Sequence, residues 1–329
     1  MKIIALEEHF ATAEVIAAWQ SVDPKLRDCA VEMSTGNEKE RLLLDLAEER
    51  VARMDEAGVD VQVLSVTTTG VQNVEPSRAV LLARAANDRM AETVRGRPDR
   101  FQGFATLPTT APADAARELE RAVVDLGLNG AMLFGRTGDR NLDHPDFLPI
   151  FEIAADLRAP IYLHPQSPLP SIRSAYYGGF DHALDTAFAT GGIGWHYETG
   201  VQALRLVLSG VFERLPDLHL ILGHWGEVAL FYLDRIDIMS TAARLPRKVS
   251  EYFATNVSVT PSGIFSQRYL RWAIEILGVD HVMFATDYPF VLPENGAARL
   301  FLEAADLSSA DRAKIASDNL TRMLAGIRR

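Results

Sequence analysis

The sequence is short of several things, and each shortage removes a class of function. It holds one cysteine, Cys29. That excludes an internal disulfide and any zinc or iron–sulfur site built from several cysteines, and it suits a reducing cytoplasm. No apolar run approaches the roughly 20 residues that a membrane span requires. The opening segment Lys2-Ile3-Ile4-Ala5-Leu6 gives way at once to Glu7-Glu8-His9, too short an apolar stretch for a secretory leader. Positive charge is scarce: 33 Lys and Arg against 44 Asp and Glu leave a formal charge of −11. That is the wrong sign for a partner made of phosphates and argues against nucleic acid. No glycine fingerprint follows the first apolar segment, so a nucleotide cradle of the doubly wound kind is missing there. No G-x-S-x-G elbow supports a serine nucleophile. Linkers rich in Pro, Ser and Gly, internal repeats and low-complexity tracts are also lacking.

What is present is ordinary for a folded chain, with 48% hydrophobic and 23% charged residues over 329 positions. That length accommodates about two domains, although α/β barrels often exceed 250 residues as one. Short apolar or β-branched runs occur at 2–6, 61–66, 101–107, 130–134, 160–164, 218–222, 256–259 and 281–285. Segments of helical periodicity separate them at 38–57, 77–94, 113–126, 200–212 and 226–238. Within the third of these, Asp114, Glu118 and Arg121 mark an exposed face and Ala116, Leu119 and Val123 a buried one. Eight strands alternating with helices predict an α/β fold, a (β/α)₈ TIM-like barrel in one domain over 1–329, with a doubly wound open sheet as the weaker alternative. Two long segments distort the alternation, Phe10 to about Lys39 after strand one and Pro165 to about Gly200 after strand five. Segments of that length are expected to cover the mouth of the active site.

In such a barrel the chemistry sits at the C-terminal ends of the strands. Strand one runs into Glu7-x-His9, and residues two apart share a face. Strand five ends in Tyr162-Leu163-His164-Pro165, strand six in Leu222-Gly223-His224-Trp225-Gly226-Glu227, and strand eight in Phe284-Ala285-Thr286-Asp287-Tyr288-Pro289. Taken singly, each has a plain structural explanation: a hydrogen-bonded histidine, a helix-capping aspartate, a glutamate paired with arginine. Taken together they converge on one point, and burying so many polar groups without a shared partner is costly. His144, His182, His219 and His281 stand in contexts where structural roles suffice, whereas the role of His196 stays open.

A divalent metal satisfies this set best. Glu7, His9, His164 and Asp287 offer two oxygens and two nitrogens, and the two carboxylates balance the charge of the ion. The oxygen share favours Mn²⁺, with Zn²⁺ as the other possibility. Only five lysines occur, and none ends strand four, Met132-Leu133-Phe134-Gly135-Arg136. A second metal bridged by a modified lysine is therefore not expected, and the site is read as mononuclear with no organic cofactor.

These motifs give the chain a resemblance to the amidohydrolase superfamily. Within it, the chain resembles the branch of aminocarboxymuconate semialdehyde decarboxylase, and most closely the γ-resorcylate, 2,3-dihydroxybenzoate and 5-carboxyvanillate decarboxylases. The likeness extends from Ala5-Leu6-Glu7-Glu8-His9-Phe10 through Glu198-Thr199-Gly200 and Asp234-Arg235-Ile236-Asp237 to Phe290, and Glu-x-His in place of His-x-His is its most specific mark. The resemblance implies a metal held by Glu7, His9, His164 and Asp287, with His224, Glu227 and Asp287 as catalytic residues and Arg235 near the substrate; Tyr288 and Phe290 are substrate-pocket candidates by their aromatic side chains, with core packing as the other explanation. Phe10 and Trp195 are further candidates for aromatic pocket walls. It also implies a small aromatic acid as substrate and a homodimer or homotetramer.

The activity implied is nonoxidative decarboxylation of an ortho-hydroxy aromatic acid. Direct loss of CO₂ would leave an unstabilised aryl anion, so protonation of the ring carbon comes first, with Asp287 as donor and His224 and Glu227 setting its protonation. A metal would acidify and anchor the ortho hydroxyl. The alternatives are a metal-dependent lactone or amide hydrolase of the same superfamily, and a non-catalytic barrel that binds an aromatic acid. Phe134-Gly135, the run Ser65-Val66-Thr67-Thr68-Thr69-Gly70 and Trp195-His196-Tyr197 depart from the family pattern and are expected at the substrate pocket.

Overall fold

Strands buried on both faces read as near-continuous apolar runs, and here they assemble into a parallel ring. The computed structural model describes residues 1–25 and 27–329. Strand β1 (Ile4–Phe10) pairs with β2 (Val61–Val66), which pairs with β3 (Phe101–Gly103). A second arc runs in order through β4 (Ala105–Thr106), β5 (Ala131–Phe134), β6 (Ile161–His164), β7 (Leu220–Leu222) and β8 (Val257–Val259).

The arcs meet where the third stave kinks. Phe104 N donates to Leu64 O (2.8 Å), while Ala105 N donates to Gly130 O (2.9 Å). Residues 282–288 close the other seam as an eighth stave. Met283 N reaches Val259 O on β8 (2.9 Å), and on β1 Leu6 N reaches Phe284 O (2.9 Å), Asp287 N reaches Glu7 O (3.0 Å) and His9 N reaches Tyr288 O (2.7 Å). Close packing shows at Gly130, where an added Cβ would lie 2.2 Å from the Pro160 carbonyl oxygen.

Three sequence expectations shift. The first strand runs through Glu7, Glu8, His9 and Phe10 instead of stopping at Leu6. The helix expected over 38–57 breaks into Glu38–Leu44 and Glu48–Ala57, because the Asp45 carboxylate accepts from Ala47 N (3.0 Å) and Arg50 N (2.7 Å) and so caps the second helix. The helix expected over 226–238 is only a set of short turns, Ala229–Tyr232 and Leu233–Ile236. It cannot continue back to 226, since Gly226, Glu227 and Val228 all have positive φ.

Alternate strand residues divide two layers. Ile4, Leu6, Val61, Val63, Phe104, Met132, Phe134, Tyr162, Ile221, Met283 and Ala285 form one cluster, the barrel interior. Ala5, Leu64, Leu133, Leu163 and Leu222 pack outward against the helices. In β1 the phase changes: the pairing with β2 slips between Ala5 and Glu8. A bulge of this kind re-aims a side chain, and it lets Glu7 follow the inward Leu6 on the same side.

The two long segments both fold over the strand ends. The first carries helices Ala13–Ser21 and Ala30–Ser34, and the second carries His182–Ala187 and the start of Gly194–Leu208, which begins before the expected Gly200. Ser167 ties them together: its N–H donates to Asp28 Oδ2 (3.0 Å), Trp195 Nε1 donates to its Oγ (3.0 Å), and Cys29 Sγ lies 3.0 Å from that Oγ.

At the opposite end of the barrel, half-buried His219 lies 2.9 Å from Ser258 Oγ and stacks on His281 at 6.3 Å. Burial and the His281 charge push its pKa down to about 3. The unfolded chain binds that proton near pH 6.5, so the unfolded state holds more protons between the two values and stability falls as pH drops from about 6.5 towards 3. The loss for a half-buried ring is on the order of 1–2 kcal/mol. Urea unfolding at pH 7 and pH 5 is expected to show a smaller acid-induced drop for His219→Gln than for wild type; equal drops would refute the assignment.

Candidate metal and catalytic site

Four staves bring their ends to one point. One ligand atom from each of Glu7, His9, His164 and Asp287 lies within 4.8 Å of the other three. Glu7 Oε1 is 3.0 Å from His164 Nε2 and 3.8 Å from His9 Nε2, and His9 Nε2 is 3.4 Å from Asp287 Oδ1. Glu7 and His9 are fully buried, and Asp287 keeps a side-chain exposure of 16%.

The surroundings aim each group. The hydroxyls of Tyr162 and Ser262 both donate to Glu7 Oε2, which leaves Oε1 to face the cluster. The Pro165 carbonyl can only accept, so His164 Nδ1–H donates to it (2.9 Å) and Nε2 carries the lone pair. Thr68 Oγ1 stands 2.8 Å from the same Nδ1, and Ser65 Oγ 3.2 Å from His9 Nδ1. Gly223, at the end of β7, admits no larger residue: a Cβ would lie 2.7 Å from Glu7 Oε2 and 2.8 Å from Ser262 Oγ.

The set fits a cation. Glu7 Oε1 and His9 Nε2 are buried and have no hydrogen-bond partner, a costly state unless something else sits between them. Without a cation, protons must take its place. Burial opposes a charge on His9, yet the nearby carboxylates of Asp287 and Glu7 raise its pKa to about 9. Burial likewise works against ionised Glu7, but the charges of His224 and His164 hold its carboxyl well below the ordinary range. A divalent ion would replace those protons and neutralise the two carboxylates.

His224 stands beside the cluster. Its Nε2 lies 3.9 Å from Asp287 Oδ2 and 4.0 Å from Glu7 Oε1, while its Nδ1–H donates to Glu227 Oε1 (2.7 Å). Burial disfavours its charge, but Glu227 and Glu7 raise its pKa well above the usual value. The backbone here is unusual. Six of the nine described non-glycine residues with positive φ are His224, Trp225, Glu227, Val228, Ser262 and Asp287. Such conformations cost on the order of 1 kcal/mol each and gather where function over-determines them.

The cluster opens on a cavity of about 250 Å³, walled by Met33, Lys39, Thr68, Trp195, His196 and Phe290 among others. Of the residues expected at the substrate, Phe290 and Trp195 line it. Tyr288 does not: with Asp287 at φ 64° facing inward, the next side chain turns outward, where buried Arg50 lies 4.5 Å over its ring. The same Arg50 donates to the His9 carbonyl (2.5 Å) and so braces β1 from behind. Phe10 belongs to the outer core, and Arg235 is exposed on a separate outer groove with Tyr197. Phe134 instead abuts the His164 ring, 5.5 Å between centroids.

Some contributors carry no decisive signal in the sequence. Tyr162 could have been found, since it precedes His164 by two positions and shares its inward face. Ser262 and Lys39 could not. His196, to which the motifs give no role, is bonded to Glu227 Oε2 at 2.7 Å.

Known proteins are similar to this chain over nearly its whole length. A γ-resorcylate decarboxylase of a Polaromonas species is 39% identical over 329 residues, covering 96% of each chain. The crystal structure of 5-carboxyvanillate decarboxylase from Sphingomonas paucimobilis superposes with a TM-score of 0.89 at 34% identity, over 99% of both chains. A dihydroxybenzoic acid decarboxylase from Polaromonas, solved with manganese and the inhibitor 2-nitroresorcinol, gives 0.84 at 37% identity, over 98% of this chain and 97% of that one. The amidohydrolase family model matches residues 22–325. With a barrel of eight parallel staves and a buried ligand set at their ends, the chain belongs to the amidohydrolase family.

Proposed function

We propose that this chain is a metal-dependent carboxy-lyase that removes CO₂ from an ortho-hydroxy aromatic carboxylic acid without an oxidant. The observation that carries the reading is the buried Glu7–His9–His164–Asp287 cluster opening on a single-ring cavity, in a chain whose full-length relatives are decarboxylases. A cavity near 150 Å³ holds benzene, so about 250 Å³ suits one substituted ring. Glu7, His9, His164 and Asp287 would hold the cation. The two-oxygen, two-nitrogen set favours Mn²⁺ and admits Zn²⁺, and a dihydroxybenzoic acid decarboxylase of similar structure binds manganese. When bound, the ion supplies charge that acidifies and anchors an ortho hydroxyl.

The chain's own residues then handle the proton. Asp287 divides its work: Oδ1 faces His9 and the ligand set, and Oδ2 faces His224. Oδ2 donates a proton to the carboxyl-bearing ring carbon, the bond to the carboxylate breaks, and its electron pair restores the aromatic ring as CO₂ leaves. His224, oriented by Glu227, returns a proton to Oδ2. Trp195 and Phe290 supply apolar wall to the cavity in which the ring would sit.

The expected result is CO₂ release by the Mn²⁺-loaded protein from 2,6-dihydroxybenzoate, 2,3-dihydroxybenzoate or 5-carboxyvanillate, and none from benzoate, which lacks the hydroxyl. Lactone or amide hydrolysis with no CO₂ release across these acids would replace this reading with that of a hydrolase.

We further propose that the protein works as one barrel domain over 1–329 and as a homodimer or homotetramer in the cytoplasm. Exposed Phe231, Tyr232 and Ile238, 52–70% accessible beside an apolar groove, support assembly. The single cysteine suits a reducing compartment, and no described helix is long and apolar enough to cross a membrane.

A further inference from the structure

Glu227 is fully buried, and each of its oxygens meets one imidazole. His224 Nδ1–H donates to Oε1 and His196 Nδ1–H to Oε2, both at 2.7 Å. The two rings lie 4.6 Å apart with a 53° tilt. His196 comes from the first turn of helix Gly194–Leu208, and its Nε2 lies 3.2 Å from the Gly191 carbonyl oxygen in the cover segment. Both His196 and Gly191 line the cavity.

A carboxylate held at both oxygens cannot turn about its terminal torsion without losing a bond. With one imidazole removed, Oε2 would be buried without a donor and the group would be free to swing towards another one. Any such movement shifts the acceptor that keeps the proton of His224 on Nδ1 and aims Nε2 between Asp287 Oδ2 and Glu7 Oε1. Partners one shell removed from a reacting group typically matter at the level of 10–100-fold.

We propose that His196 is a positioning residue for the reaction. It clamps Glu227, and through Glu227 it fixes the orientation of His224. The proposal rests on the reading of His224 and Asp287 as the proton path, and it adds a residue that the family motifs do not supply.

Two measurements test it, one of them independent of turnover. In the Mn²⁺ holoenzyme, His196→Phe is expected to lower kcat by about 10–100-fold with KM changed by less than about twofold. His196→Asn places an amide N–H where Nδ1 was, and it is expected to recover kcat to within about fivefold of wild type. A phenylalanine variant within twofold of wild-type kcat, an asparagine variant as impaired as phenylalanine, or an effect confined to KM would overturn the proposal. In the diamagnetic Zn²⁺-loaded protein, proton NMR of the imidazole N–H groups is expected to show the His224 Nδ1–H signal retained in His196→Asn and displaced in His196→Phe. An unchanged signal in His196→Phe overturns the proposal even if no acid is decarboxylated, whereas absence of CO₂ release by wild type alone overturns only the decarboxylase reading.

Discussion

Asp287→Asn is expected to reduce kcat by about 10³- to 10⁴-fold. The asparagine side chain keeps the shape and one oxygen that can face His9, but Oδ2 becomes an amide nitrogen that cannot pass a proton to carbon. General acid catalysis by a positioned group contributes about 10²–10⁴-fold, and loss of the carboxylate's negative charge beside His9 and His224 adds to it. His224→Asn should fall nearly as far. The double variant should be little worse than either single one, because the two residues act on the same proton. Metal content measured on the same preparations separates chemistry from binding: a variant that retains its metal and near-normal turnover would sink the proton path.

Removal of the cation is expected to abolish turnover, with a fall beyond about 10³-fold under a chelator and recovery on adding Mn²⁺. Charge stabilisation by a bound ion is worth several kcal/mol, and each 1.36 kcal/mol is tenfold in rate. The same treatment should lower the unfolding temperature, since Glu7 Oε1 and His9 Nε2 are left buried without partners. Glu7→Gln is the sharper variant. It removes one of the two negative charges that balance the ion and puts at most a neutral amide where Tyr162 and Ser262 now donate. Mn²⁺ affinity should drop at least about 10-fold. Full activity after exhaustive chelation, confirmed by elemental analysis, would refute a metal-dependent reaction.

Much of the active end is legible in the sequence because it depends on residue identity at strand ends. Glutamate, histidine and aspartate are rare in the buried positions of a parallel barrel, so four such ends require a common partner. The pocket is less legible. Tyr288 and Phe290 both lie within three residues of Asp287, yet only Phe290 reaches the cavity, because alternation along the stave sends Tyr288 to the outer side, while the turn closed by Phe290 N and Asp287 O brings Phe290 back over the site. Arg235 follows Glu227 closely in sequence, but the left-handed turn over 224–228 leads the chain outward, so Arg235 lies on the outer groove.

The sequence by itself determined the alternation of eight apolar staves with helices, the exclusion of an internal disulfide, and the identity of the four residues that could hold a cation. Those conclusions rest on periodicity, composition and side-chain chemistry, which belong to the chain in any conformation. Only the tertiary structure decided which way those residues face. The slip in pairing between β1 and β2 turns Glu7 and His9 inward together and sends Glu8 out to Thr286 and Gln62, and a plain two-residue alternation continued from Leu6 would have aimed Glu8 inward instead. A bulge is set by hydrogen bonds to neighbouring strands far away in the chain, so no local reading of β1 reveals it. The bond from His196 to Glu227 has the same origin, since packing of a helix against a strand end, and no spacing in the sequence, brings the two within reach.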